Sequence, residues 1–249
     1  MARQTGLIKI KGTLDNVTFY KSKEGHLAKM KTSIDGARIA NDPAFIRTRE
    51  NGAEFGSSAT SGKVTRDSLR PIAMNASDSK IVSRVTQLMT KIKNLDTTSL
   101  RGLRNVGVAM LTPSAKALLK GFEFNTDAFL SSILYKPYAV NTTTGVITIT
   151  GLTPLSDVAY PDGATHMSIT GCYANINYAT NLADVKLTNV QNIAISATTA
   201  TVTLTPTALP LGTGAKVFLL KIEFFQMVNT VQYSLKNGAY NALKVIEVI

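Results

Sequence analysis

The sequence predicts an α+β chain, with an N-terminal basic β-meander and helices over residues 1–120 and an antiparallel β-sandwich over residues 121–249. Three observations predict it. Residues 6–31 alternate apolar and cationic side chains between turn signals, as half-buried strands do. Residues 79–94 carry an apolar stripe at helical spacing. After Gly121 the chain turns dense in Thr, Val, Ile, Asn and Tyr, with Gly, Pro and Asp at intervals that suit short strands.

The meander is expected to comprise Leu7–Lys11, Val17–Lys21 and His26–Lys31, with turns at Leu14-Asp15-Asn16 and Ser22-Lys23-Glu24-Gly25. Successive strand side chains point to opposite faces, so Ile8, Ile10, Phe19, Ala28 and Met30 are expected on an apolar face and Lys9, Lys11, Lys29 and Lys31 together on the other. So small a sheet is marginal alone and has to lay its apolar face on something.

A helix is expected to start at Asp42-Pro43, where Asp caps free N–H groups and Pro suits the first helical position. Gly52 and Gly56 either admit a second backbone or weaken and end this helix; the small polar run Ser57–Gly62 favours the second reading. In Ser79–Asn94, Ile81, Val82, Val85, Leu88, Met89 and Ile92 form the buried stripe, with Lys80, Arg84 and Lys91 outside. Thr112-Pro113 begins another helix and Gly121 stops it.

The sandwich strands are expected at Gly145–Thr150, His166–Ile176, Val185–Thr188, Ala200–Thr205, Lys216–Gln226, Thr230–Leu235 and Leu243–Val248, with one turn at Asn237-Gly238. Thr143–Leu152 and Thr199–Leu209 share an alternation of Val or Ile with Thr. Val248-Ile249, lacking a polar tail, is expected to be paired or buried.

Charge divides the chain unevenly. Residues 1–120 hold 21 Lys and Arg against 9 Asp and Glu, and residues 121–249 hold 6 against 7. Such a block attracts nucleic acid, anionic lipid or an acidic protein surface, or else serves as a solvated basic surface. The nucleic-acid reading singles out Lys9, Lys11, Lys21, Lys23, Lys29, Lys31, Arg38, Arg47 and Arg49, with Phe19 and Tyr20 close by. Cations would neutralise phosphates while an exposed ring stacks on a base. No sequence-reading motif accompanies them, so such binding would be sequence-independent. The competing reading pairs Arg47 and Arg49 with Glu50 and Glu54 along their own helix.

Catalytic chemistry finds little to work with. A single cysteine, Cys172, excludes an intrachain disulfide or a zinc cluster, and its place in a strand marks it as a small core residue. His26 and His166 have no partners at triad or ligand spacing. Gly56–Lys63 (GSSATSGK) has five residues between its glycines where a phosphate-cradling loop has four, and Val64 stands where a hydroxyl is needed. The seven acids after residue 120 are scattered, and nothing selects two for sugar hydrolysis. The chain is therefore expected not to be an enzyme and to need no cofactor or metal. It shows no apolar run long enough to span a membrane and no signal peptide, which predicts cytoplasmic synthesis, with incorporation in a virion or filament left open.

Four stretches, TGLIKIKGT (Thr5–Thr13), TFYKSK (Thr18–Lys23), NDPAFIRTRENGAEFG (Asn41–Gly56) and YSLKNGAYNAL (Tyr233–Leu243), resemble a family of uncharacterised proteins of Bacteroidota. The resemblance implies a bacterial or phage-associated origin and carries over no site residue. The function expected is that of a noncatalytic structural protein acting by self-association as a homo-oligomer, in a virion-like or filamentous assembly. The alternative is a sequence-nonspecific nucleic-acid-binding protein using residues 1–120.

Overall fold

The structure, a computed structural model, describes residues 2–31, 34–235 and 238–249; Asn237 of the expected Asn237-Gly238 turn lies outside them. The chain divides into the units Met1–Asn51 and Gly52–Ile249. The change of composition at Gly121 is therefore not the boundary between units, because the helices before it and the strands after it share one core.

In the first unit, β1 (Ala2–Arg3), β2 (Gly12–Leu14), β3 (Val17–Ser22) and β4 (Gly25–Met30) form an antiparallel sheet of order β1-β4-β3-β2. Both turns lie where the sequence puts them: Asp15 takes φ +50° and Gly25 φ +110°, left-handed values that suit Asp and Gly. After the sheet come α1 (Gly36–Asn41), a 3-10 turn at Pro43–Phe45 and α2 (Ile46–Ser68), which crosses the division between the units. The Asp42 carboxylate accepts from the Ala44 N–H at 2.9 Å, the expected cap.

The α2 helix runs straight through Ser57–Gly62, so the glycines do not end it. It has no apolar stripe, and the residues it buries are Glu54, Ser58, Ser61, Gly62 and Thr65, with Val64 packed partly against the core. Small side chains there let α4 approach: a Cβ on Gly62 would lie 3.4 Å from Val85 Cγ1. Around Gly52 and Gly56, by contrast, there is open space.

The larger unit adds α3 (Arg70–Ala73), α4 (Ile81–Lys93), α5 (Val106–Ala109), α6 (Pro113–Leu119) and α7 (Leu130–Ile133). Then follow β5 (Ala139–Val140), β6 (Ile147–Leu152), α8 (Pro154–Asp157), β7 (His166–Asn177) and β8 (Leu182–Ala194). The chain finishes with β9 (Ala200–Leu204), β10 (Ala215–Val228), β11 (Val231–Ser234) and β12 (Ala242–Val248). The long sheet orders β11-β10-β7-β8, with β12 also on β10, and the short one orders β5-β6-β9.

The two sheets make the expected sandwich, and the helices cover the other face of the long sheet. Alternation along two strands explains both cores. On β7, Met167, Ile169 and Tyr173 enter the core shared with Ile147, Ile149, Val202 and Leu204 of the short sheet. Cys172, Ala174 and Ile176 enter the core shared with Met89, Ile92, Ala109 and Leu119 of the helices. Strand β10 repeats the pattern, with Phe218, Leu220 and Phe224 facing one way and Val217 and Leu219 the other. Each such side chain contributes roughly 1.5–3 kcal/mol when fully withdrawn from water.

Close packing explains two glycines. A Cβ on Gly171 of β7 would stand 2.8 Å from Ile147 Cδ1 across the sandwich. Gly145 has φ +77°, and its Cβ would meet the Tyr173 ring at 2.4 Å. The two Thr-alternating stretches prove to be β6 and β9, paired neighbours in the short sheet. The final residue is paired as expected, Ile249 and Lys216 exchanging backbone bonds of 3.0 and 2.9 Å.

The basic face expected on α4 is partly structural. Arg84 bonds the Asp78 carboxylate and the Glu123 carbonyl, and lies 5.0 Å over the Phe122 ring. Lys93 is buried against Glu54, which also accepts the Gly102 N–H at 2.8 Å. The Lys93 ammonium bonded to it holds the Glu54 carboxyl below its ordinary 4.5, against the opposing effect of burial. Burial pushes Asp96 up, but donors from Ser99, Asn105 and Thr98 outweigh it and leave the carboxyl well below 3.8.

Gly145→Ala is expected to lower the unfolding free energy by roughly 2–3 kcal/mol through overpacking and a strained φ, read by denaturant titration. Because Glu54 and Asp96 have lower folded than unfolded pKa values, the stability they supply is present above the ordinary 4.5 and 3.8 and is lost as pH falls below them. Asp96→Asn should therefore cost about 2 kcal/mol at neutral pH and flatten the acid limb of a stability-against-pH profile.

Candidate functional site

The first unit concentrates apolar and cationic side chains on a scaffold that has no interior. Among its described residues none is buried, and all are intermediate or exposed. A four-stranded sheet in that condition lacks the covered face on which sheets depend.

Its first strand is not where alternation placed it. Leu7–Lys11 forms no strand; the pairing falls instead to β1 and β2 on either side. The reason is Gln4, whose side-chain carbonyl accepts the Ile10 N–H at 2.9 Å while its amide donates to the Ile10 carbonyl at 3.1 Å and the Leu27 carbonyl at 3.3 Å. Lys9 closes the same loop, its ammonium donating to the carbonyls of Gln4 at 2.7 Å and Gly6 at 2.6 Å. Leu7 is thereby fully exposed and Ile8 84 % exposed at the tip. No acid occurs before Asp15, whereas Arg3, Lys9 and Lys11 surround the tip in sequence.

The cations picked out from the sequence are dispersed. Pairing sets Lys21 opposite His26 and Lys29 opposite Thr18, which places the two lysines on opposite faces of the sheet. Of the lysines expected to share one face (Lys9, Lys11, Lys29 and Lys31), Lys29 lies in the sheet, opposite the face of Ala28 and Met30 as expected, while Lys9, Lys11 and Lys31 lie outside its strands. Phe19 shares its face with Val17, Ala28 and Met30, as expected, while Tyr20 shares the other with Leu27 and Lys29. The Lys29 ammonium lies 5.8 Å from the Tyr20 ring centroid.

Lys23 sits in the β3–β4 turn, and Lys31 follows β4 with its N–H on the Asn16 carbonyl at 2.6 Å. Arg38 pairs with Asp42 at 3.0 Å and lies over the Phe45 ring at 5.7 Å. Arg47 is exposed on α2. Arg49 donates to the carbonyls of Ile39 and Asp42, both at 2.9 Å, and so clasps the end of α1. It does not pair with Glu54, which the buried Lys93 occupies. Lys11 is exposed immediately before β2.

Of the remaining reactive groups, His26 Nδ1 is enclosed without a hydrogen-bond partner. Burial pushes the Cys172 thiol up to about 12, so it is not a thiolate at neutral pH. His166 Nδ1 bonds Thr165 Oγ1 at 3.0 Å. Gly56–Lys63 lies inside α2. Among the described residues no three His, Cys, Asp or Glu side chains gather to hold a metal ion, and no helix is long and apolar enough to cross a membrane.

Gln4 was not singled out from the sequence, because an amide bonding residues six and twenty-three positions away leaves no local signal. Gln4→Leu is expected to speed hydrogen exchange at the Ile10 amide at least about tenfold while leaving protection in β7 and β10 unchanged.

Set against known proteins, the chain matches no family model, no curated protein and no solved structure.

Proposed function

We propose that this chain is a noncatalytic structural protein that works by self-association, in a virion-like or filamentous assembly. One observation carries the reading: the described residues of Met1–Asn51 include strands and helices but no buried residue, while Leu7, Ile8, Leu14 and Met30 stand exposed. Exposed apolar side chains on a coreless sheet are stabilised by a partner that withdraws them from water.

A small sheet can associate by adding a strand to a neighbour's sheet edge or through its side chains. Several edges are short or partly occupied. The edge strands β1 and β2 have two and three residues. In the larger unit, Gly121 and Phe124 donate to the Val245 and Leu243 carbonyls of β12, and Asn189 and Leu187 of β8 bond Thr205 and Thr207. Association through side chains on faces and loops fits this arrangement better than backbone pairing.

The alternative, nonspecific nucleic-acid binding, draws support from Tyr20 with Lys29 on one sheet face. The separation of Lys21 from Lys29 and the internal use of Lys9 and Arg49 reduce the number of cations that one strand could meet.

Sedimentation velocity over a wide concentration range decides. The weight-average sedimentation coefficient is expected to rise with concentration; a concentration-independent monomer overturns the reading. Added single-stranded oligonucleotide is expected to leave the boundary unchanged. Binding that falls by orders of magnitude between low and moderate salt would instead favour the alternative.

A further inference from the structure

We infer that the Leu7–Ile8 tip of one copy inserts into an aromatic pocket on the larger unit of a second copy, a head-to-tail contact that rests on the self-association reading. The tip is an apolar pair held out by bonds within its own loop, so docking it requires little ordering. Anchors of this kind dominate interfaces when they fill a preformed pocket.

The pocket has a volume of about 280 Å³ and lies between α7, the Ala159–Pro161 segment, Phe224 of β10 and Tyr240. Its walls are fixed: the Ala159 N–H donates to the Ile133 carbonyl at 2.8 Å, and Asn125 donates to the Asn241 carbonyl at 2.9 Å. Phe129 and Tyr160 are partly exposed at its mouth although both are large and apolar.

Charge and aromatic lining together select this pocket over the other grooves. No cation lines it, Asp127 does, and Asp162 follows Pro161 in the chain. The loop that would enter carries Arg3, Lys9 and Lys11 and no acid. A groove beside Val108 and Tyr178 is lined by Lys116, one beside Met74 by Arg66 and Arg70 against the single acid Asp67, and one beside Tyr138 by Lys136 and Lys244. A further groove is lined by Leu182, Leu211 and Asp184 beside Asn175, Asn177 and Thr180; it has no aromatic ring, and its acid is paired with Lys186 at 2.8 Å. Complementary charge at the rim steers the two surfaces together and discourages the cationic grooves. Because knob and pocket are different surfaces, the contact is heterologous and generates rings or open filaments.

The test uses the full chain. Leu7→Asp with Ile8→Asp removes the tip; Ala159→Trp fills the pocket, and Tyr160→Glu at its mouth is a second pocket variant. Each is expected to sediment as a monomer where the unaltered chain associates, with the dissociation constant raised at least about tenfold. An equimolar mixture of tip and pocket variants has one intact tip facing one intact pocket, and is expected to give a one-to-one dimer and nothing larger. That dimer also shows both variants folded. If the tip variant associates like the unaltered chain, the inference falls while self-association stands. If the unaltered chain is monomeric throughout, self-association itself falls. A mixture that yields no dimer overturns the pocket as acceptor. Loss, in the tip variant, of co-sedimentation with phosphatidylserine-containing vesicles by an otherwise monomeric chain would assign the tip to lipid instead and overturn the inference.

Discussion

Two neighbouring strands, β7 and β10, are covered on both faces, and the larger unit is arranged to keep them so. Their side chains alternate between a helical layer and a second sheet, and each layer buries its apolar surface against these strands and the neighbouring β12. Long antiparallel pairing holds them in register from His166 with Phe225 to Ile176 with Ala215. A slip of one residue would exchange the contents of the two cores and drive Phe218 and Tyr173, stacked at 4.4 Å, towards the helices. The glycines, the bulge in β8 opposite Gly171 and the chain segment sealing β12 all follow from fitting two layers to one sheet.

Much of this was legible in the sequence, and the legible part has one physical character. The sandwich strands β6, β7, β9, β10, β11 and β12 were found to within a few residues, because alternation and turn chemistry are local. The helix over Ile81–Lys93 was found by its stripe. Missed elements are those set by distant contacts. The α2 helix persists through Ser57–Gly62 because small polar residues fit against α4, and its propensity alone argued otherwise. The short helices α3, α5, α7 and α8 have four residues each, too few for a periodic pattern to register.

The candidate site was less legible than the fold. Leu7–Lys11 alternates like a strand, yet the Gln4 side chain bonds the Ile10 backbone, Lys9 closes the loop onto the Gln4 and Gly6 carbonyls, and the apolar side chains turn outward. The lysines looked coherent in sequence, but Lys9 and Lys11 lie in no strand and so do not join Lys29 on a sheet face. Counting charge also overstated the basic surface, since Lys93 is buried and Arg84 half-buried with carboxylate partners. The aromatic pocket draws on residues from Asp127 to Tyr240, which only the folded chain assembles.

The sealing of Cys172 has a practical corollary. The chain holds one sulfhydryl, enclosed in the core between sheet and helices. Alkylating reagents and fluorophores that require solvent access therefore meet a molecule without a background site. A cysteine introduced at any surface position becomes chemically unique, and crosslinks formed through it report on neighbouring copies alone.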